Sequence, residues 1–271
     1  MKLAFWKMNG AGNDFVVADN RGGAVAEKRL AGFAEKFCHR RTGVGADGVL
    51  LVEKAPAAPG GLDFRMRYLN ADGSEASMCG NGARCIASYA HAIGAAPAKM
   101  RFLTGAGPVG AEVTPGGAII DMPEPTEPEP RYVDLAGRAV ELWFLSTGVP
   151  HAVVPVGDLE NCDIVGLGRA LRRHAAFAPA GTNVNFITRQ GQGLAIRTYE
   201  RGVEDETLAC GTGASAAALT AARIWKLSSP VPVAARGGNL RIHFAEKAGR
   251  FTGVRLEGPV QVSFRGELEW E

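Results

Sequence analysis

Two cysteines occupy matching places in two similar stretches of this chain. Met78-Cys79-Gly80-Asn81-Gly82-Ala83-Arg84-Cys85 is echoed by Ala209-Cys210-Gly211-Thr212-Gly213-Ala214-Ser215-Ala216. In each copy a cysteine directly precedes Gly-x-Gly-Ala and an alanine-rich helical pattern follows, which sets the thiol at a helix N-terminus. There the unpaired backbone N–H groups and the positive end of the helix dipole favour a thiolate, lowering a cysteine pKa from about 8.5 to roughly 3.5–7.5. The same N–H groups bind a carboxylate. Two such ends, one from each of two related halves, would grip one substrate between two sulfurs. One sulfur on each face of a carbon is what inverting a stereocentre requires. A lone cysteine at a tight turn is usually a small packing residue, but that reading does not explain why both repeats keep one at the same place.

For such a pair to work, each half must supply a helix behind its cysteine and strands around that helix. In the first half Ile86, Tyr89, Ala90 and Ile93 recur at helical spacing, and Gly94 with Pro97 ends the helix. In the second, Ala217, Ala221 and Ile224 do the same before Pro230 and Pro232. Both predicted helices are rich in small residues, which suits close packing at the centre of a domain. Phe64 to Leu69, Ala195 to Tyr199, Leu240 to Phe244 and Val260 to Phe264 read as strands, with branched and aromatic residues bounded by Gly, Pro and Asn. Helices are too few to separate every strand, so the fold class is α+β. Pro123-Glu124-Pro125-Thr126-Glu127-Pro128-Glu129-Pro130 alternates proline with acidic or polar residues and reads as an extended linker. It divides the chain into a domain over 1–122 carrying Cys79 and one over 131–259 carrying Cys210.

Composition narrows the function classes. At 271 residues, 46% hydrophobic and 21% charged, the chain can bury a core of one or two domains. A net charge of +2 with scattered Lys and Arg implies neither nucleic acid nor an anionic membrane as partner. The most basic stretch, Lys28 to Arg41, sets its charges among Leu30, Phe33 and Phe37 at helical spacing, as a solvated helix face does. No run approaches the roughly 18 apolar residues of a membrane helix, and the first residues are apolar too briefly for a signal peptide, so a cytoplasmic location is expected. Five cysteines are an odd number without the density of a disulfide framework, which fits thiols in a reducing compartment. Cys38, Cys85 and Cys162 read as buried packing residues. A zinc site built from Cys79, Cys85, Cys210 and a histidine lacks knuckle spacing, so no metal is expected. His39, His91, His174 and His243 share no motif.

With both motifs read, the chain resembles the diaminopimelate epimerase family. The resemblance extends to Gly10-Ala11-Gly12-Asn13-Asp14-Phe15, Gly43-Val44-Gly45-Ala46-Asp47-Gly48, Asn70-Ala71-Asp72-Gly73-Ser74-Glu75, Pro150-His151, Asn183 near Phe186, and Glu200-Arg201-Gly202 before the second cysteine motif. It implies interconversion of LL- and meso-2,6-diaminoheptanedioate without pyridoxal phosphate, other cofactor or metal, feeding lysine and peptidoglycan synthesis. It also implies two pseudo-symmetric domains, each a curled mixed β-sheet around a central α-helix, with the C-terminal strand (260–271) returning to the first. Cys79 and Cys210 would then be the acid–base pair, each worth roughly 10²- to 10⁴-fold. The N–H groups of Gly80, Asn81, Gly211 and Thr212 would take the substrate carboxylate and the charge that develops on it. Asn13, Asn70, Asn183 and Arg201 are the implied contacts to the distal amino-acid end, and His151 and Glu200 the implied neighbours of the thiols. Glu200 is also an implied substrate contact.

Two positions depart from the family pattern. Val149 stands where many members have a substrate-touching asparagine, and Gly48 where some carry glutamine. Both bear on contacts to the distal end. A proline or hydroxyproline racemase is the nearest alternative, although those usually carry histidine where Asn81 stands. A non-catalytic amino-acid-binding module is a further one. The partner expected is a small amino acid, and the sequence leaves a homodimer open.

Overall fold

The computed structural model describes residues 2–57, 61–135 and 137–270. Met1 and Glu271, the outer ends of the expected first domain, lie outside the described residues. The chain divides into two compact units, Met1–Ile120 with Gly258–Glu271, and Asp121–Glu257.

The first unit contains β1 (Lys2–Gly10), β2 (Asn13–Asp19), α1 (Leu30–Cys38), β3 (Gly48–Glu53), β4 (Phe64–Asn70), α2 (Gly80–Ala92), β5 (Lys99–Thr104), β6 (Gly107–Thr114) and β7 (Gly117–Asp121). The second contains β8 (Glu129–Leu135), β9 (Arg138–Ser146), β10 (Pro150–Pro155), α3 (Ile164–Arg172), β11 (Asn183–Gln190), β12 (Gly193–Glu200), β13 (Asp205–Thr207), α4 (Gly211–Trp225), β14 (Val231–Ala235), β15 (Gly238–Lys247) and β16 (Arg250–Pro259). The last strand, β17 (Gln261–Glu269), belongs to the first unit.

Strand pairing repeats between the units. In the first, β17 lies antiparallel to β1 and β1 to β2, β2 runs parallel to β3, β3 antiparallel to β4, β4 parallel to β5, and β5, β6 and β7 follow antiparallel. In the second, β8, β9 and β10 are antiparallel, β10 is parallel to β11, β11 antiparallel to β12, β12 parallel to β14, and β14, β15 and β16 follow antiparallel. The order of senses is the same in both. Parallel neighbours need a crossover, and the helices supply it: α1 and α3 before β3 and β11, α2 and α4 before β5 and β14.

Each mixed sheet wraps one helix. Within its unit α2 packs on β1, β2, β3, β4 and β6, and α4 on β9, β10, β11, β12, β14 and β15. Such central helices have no solvated face, which explains their small residues: Ala83, Ala87 and Ala90 in α2, and Ala216, Ala217, Ala218 and Ala221 in α4, are all fully buried. By contrast α1 buries Leu30, Phe33, Ala34, Phe37 and Cys38 and turns its charges outward, as its spacing predicts. The fold is therefore α+β.

Two details differ from the sequence reading. Glu129 and Pro130, placed there in the linker, open β8. The rest of that stretch is fastened within the second unit, because its acidic residues find donors: Glu127 accepts from Phe251 N–H at 2.9 Å and from Arg223 at 2.7 Å. Cys162 is half-buried at the rim of an apolar cluster rather than buried. On β17, Val262 and Phe264 are exposed, although Phe264 meets the Phe5 ring edge-on at 5.9 Å. Among the described residues no helix is long and apolar enough to cross a membrane.

Ile86 is fully buried on α2, facing the sheet that wraps it. Ile86→Ala is expected to lower unfolding stability by about 2–5 kcal/mol through lost burial and a residual cavity, measured by urea denaturation.

Candidate active site

In the first unit Cys79 is the N-cap of α2, extended at φ −139° and ψ 124°. The first intrahelical bond runs from Ala83 N–H to the Cys79 carbonyl at 2.7 Å, so the N–H groups of Gly80 and Asn81 precede the helical ladder. Behind the cysteine lies a chain of polar side chains. Arg84 Nη2 donates to Asn81 Oδ1 at 2.9 Å, Asn81 Nδ2 to Asn13 Oδ1 at 2.6 Å, and Asn13 Nδ2 to Asp47 Oδ2 at 3.0 Å. A guanidinium at one end and a carboxylate at the other fix which way both amides point. Asp47 also accepts from Arg40, and its carbonyl takes the Ala71 N–H next to Asn70. Asn70 itself bonds Ser74 through its side chain at 3.0 Å. Asp14 joins Lys7 and Arg40; burial works to raise its pKa, but those two cations hold it below the usual range.

Gly48 pairs with Asn70 across β3 and β4. A Cβ there would meet the Leu69 carbonyl oxygen at 2.5 Å and the Tyr68 ring at 2.7 Å. The place where some family members carry glutamine is closed to any side chain. Tyr68, which meets Phe15 edge-on, lies there instead.

In the second unit Cys210 caps α4 in the same way, at φ −121° and ψ 114°, with Ala214 N–H on its carbonyl at 2.8 Å. Its sulfur lies 3.4 Å from Thr212 Oγ1, and Thr147 Oγ1 donates to the Thr212 carbonyl at 3.0 Å. Asn183 joins two candidates: its Oδ1 accepts from Arg201 N–H at 2.9 Å, and its register partner on β10 is His151. The Arg201 guanidinium donates to the Ala180 carbonyl at 3.2 Å. Glu200 accepts from Thr207 Oγ1 at 2.8 Å, and burial raises its carboxyl pKa despite that bond. Val149 is half-buried.

His151 is fully buried, and burial, with the Arg201 charge adding to it, pushes its pKa down to about 3. The ring is neutral. Asn185 Nδ2 donates to its Nδ1 at 3.1 Å, which leaves the ring proton on Nε2, an atom with no hydrogen-bond partner among the described residues.

Asn185 carried no role in the sequence reading. It is fully buried, takes the Thr198 hydroxyl at 3.0 Å on Oδ1 and orients His151. The same oxygen lies 2.4 Å from where a Cβ on Gly213 would stand, so the first turn of α4 seats against Asn185 only because residue 213 has no side chain. The signal was period two: Asn183 and Asn185 alternate on one face of β11. Asp47 and Arg84 were likewise quoted within motifs without a role. Cys85 is buried, and burial pushes its thiol up to about 12, as befits a packing residue. Among the described residues no group of three or more His, Cys, Asp or Glu is placed to hold a metal ion.

Two repeated units, each a mixed sheet wrapped around one central helix, form a fold that solved structures of low sequence identity share. A phenazine biosynthesis protein of the PhzF family from Bacillus anthracis matches with TM-score 0.74 at 15% identity over 100% of both chains. A probable proline racemase from Agrobacterium radiobacter K84 matches at 0.65 and 16% over 99% of this chain and 93% of that one. The chain belongs to the diaminopimelate epimerase family, whose model matches residues 5–127 and 143–262. It is 43% identical to diaminopimelate epimerase from Aquifex aeolicus (strain VF5) over 99% of each chain. It is thus an isomerase of the epimerase type.

The depressed His151 pKa has a sign. Below the ordinary value of about 6.5 the unfolded chain takes up a proton that the native one refuses, so stability falls as pH drops from about 6.5 toward 3. His151→Gln is expected to flatten this slope by up to about 1.4 kcal/mol per pH unit, read from urea midpoints at pH 7, 6 and 5.

Proposed function

We propose that this chain interconverts LL- and meso-2,6-diaminoheptanedioate with Cys79 and Cys210 as the two bases. The observation that carries this reading is the repeat itself: in both units a cysteine caps the central helix directly before N–H groups that precede the first intrahelical bond. One thiolate removes the α-proton and the other thiol returns one to the opposite face; the roles exchange in reverse. Charge leaving the α-carbon moves onto the substrate carboxylate, which the N–H groups of Gly80, Asn81, Gly211 and Thr212 receive.

The remaining assignments follow the site's polar groups. Asn13 and Asn70 in one unit, and Asn183, Glu200 and Arg201 in the other, would take the distal amino and carboxylate groups, Arg201 through its guanidinium fork. His151, neutral and oriented by Asn185, would act as an auxiliary donor through Nε2. Asn81, engaged by Arg84 and Asn13, stands where proline-type racemases usually have histidine, which supports the open-chain substrate. Because catalysis needs both sulfurs reduced, we place the enzyme in the cytoplasm.

Incubation of the reduced protein with LL-diaminopimelate in heavy water should give the meso form carrying solvent deuterium at the α-carbon, followed by NMR. Cys79→Ser and Cys210→Ser should each lower turnover by roughly 10²- to 10⁴-fold while substrate still binds. Wild-type protein that neither exchanges the α-proton nor forms meso product would overturn the proposal.

A further inference from the structure

Thr212 stands in the first turn of α4, and its side chain reaches back to the cap of the helix, Oγ1 lying 3.4 Å from the Cys210 sulfur. A hydroxyl inside a helix ordinarily falls back on the carbonyl one turn earlier. Ser215, three positions on, does so, donating to the Gly211 carbonyl at 3.0 Å. Thr212 has no helical turn before it to offer such a carbonyl, and its hydroxyl meets the sulfur.

Thr212 is also held from behind. Thr147 is fully buried, and its hydroxyl donates to the Thr212 carbonyl at 3.0 Å. Its own N–H donates to the Val149 carbonyl at 3.2 Å around Gly148, whose φ of 99° is one that glycine adopts freely. The proline-rich stretch braces this turn. Ser146 N–H donates to Thr126 Oγ1 at 2.8 Å, Thr126 N–H to the Ser146 carbonyl at 2.9 Å, and a Cβ on Gly148 would meet the Pro123 ring at 3.0 Å. Within the second unit a line of contacts thus runs from Pro123 and Thr126 through Thr147 and Thr212 to the sulfur.

A hydroxyl at this place has a chemical consequence. A thiolate calls for a donor and a thiol for an acceptor, and a hydroxyl is both. By turning its O–H bond Thr212 follows Cys210 through both states with no movement of a heavy atom. The bond to the anion is the stronger, being charge-assisted, so the hydroxyl favours the thiolate. The ionisable groups on the strands packed against α4 are otherwise engaged or outside. His151 is neutral, Glu200 is bonded by Thr207, and Tyr199 packs on Gly168 of α3. Arg197 pairs with Glu206, Arg241 and His243 with Glu257, and Glu246 with Arg223. Arg138, Glu141, Arg189 and Lys247 are exposed, and Arg201, just beyond β12, donates to the Ala180 carbonyl.

We propose that Thr212 is a catalytic residue through its hydroxyl, which holds the Cys210 sulfur as thiolate and as thiol alike, and that Thr147 is the positioning residue that keeps it there. The inference rests on the two-base reading above and deepens it. When Cys210 takes the α-proton, a sulfur lone pair forms the S–H bond, the C–H electron pair stays on the substrate, and Thr212 turns from donor to acceptor. When Cys210 returns a proton the sequence reverses. Thr212 itself neither gains nor loses a proton in either direction.

Residue-resolved alkylation of the full-length reduced protein by iodoacetamide from pH 5 to 10, followed by mass spectrometry of the Cys79 and Cys210 peptides, tests this without substrate. Thr212→Val keeps the branched shape and the backbone N–H and loses the hydroxyl. Its Cys210 inflection should rise by roughly one pH unit while that of Cys79 stays in place, since a hydrogen bond to the charged form is lost. Its kcat should fall roughly tenfold with KM unchanged. Thr212→Ala should behave as the valine variant does, so that either one that folds decides the matter, and Thr212→Ser should keep the wild-type inflection. Thr147→Val should reproduce part of the rise and Thr147→Ser should abolish it. An unmoved Cys210 inflection in a hydroxyl-free Thr212 variant overturns the inference, as does a rise that Thr212→Ser shares. A Thr147→Val variant with wild-type inflection and kcat overturns the positioning role. Inflections as expected, in a protein that exchanges no α-proton of LL-diaminopimelate, would instead count against the epimerase reading alone.

Discussion

A helix that begins inside a packed unit leaves its first N–H groups without carbonyl partners, and both central helices of this protein begin that way. Everything near Cys79 and Cys210 follows from that constraint. Each cysteine is extended so that its own carbonyl starts the helical ladder. The sheet curled around the helix holds the start in place, and the small residues of α2 and α4 let the strands come close enough to do so. At Gly213 this closeness is tightest, with Asn185 occupying the space a side chain would need. An anion at these N–H groups completes what the backbone cannot, and a substrate carboxylate is the anion that the proposed reaction supplies.

The two starts are equal in backbone and unequal in what lies behind them. Behind Cys79 a guanidinium, two amides and the Asp47 carboxylate form one polarised line. At the start of α4 the Thr212 hydroxyl lies 3.4 Å from the Cys210 sulfur, and Asn185, which orients the neutral His151, seats against Gly213. A duplicated scaffold thus holds two helix starts in similar backbone geometry beside different polar side chains.

Local signals were legible in the sequence. Cysteine before Gly-x-Gly-Ala, alanine at helical spacing, and β-branched runs between turn formers placed both helix starts, α1 and several strands. The polar wiring was not legible because it joins residues far apart in the chain. Asn13 meets Asn81 across 68 positions and His151 meets Asn185 across 34. Glu127 is held by Phe251 across 124, which is why a proline-rich stretch with the composition of a linker is instead fastened along its own unit. Gly48 shows the same limit: its departure from the family pattern was visible, but that Tyr68 fills the place required the register of β3 against β4.

The chain leaves its first unit at Ile120 and re-enters at Gly258. Strand β1 precedes the second unit in the chain and β17 follows it, so β1 waits for β17 before one of its two edges is covered. During synthesis the continuous second unit emerges whole while the first still lacks an outer strand. The first unit is thus completed only after the second has been synthesised, and an exposed strand edge persists until β17 follows.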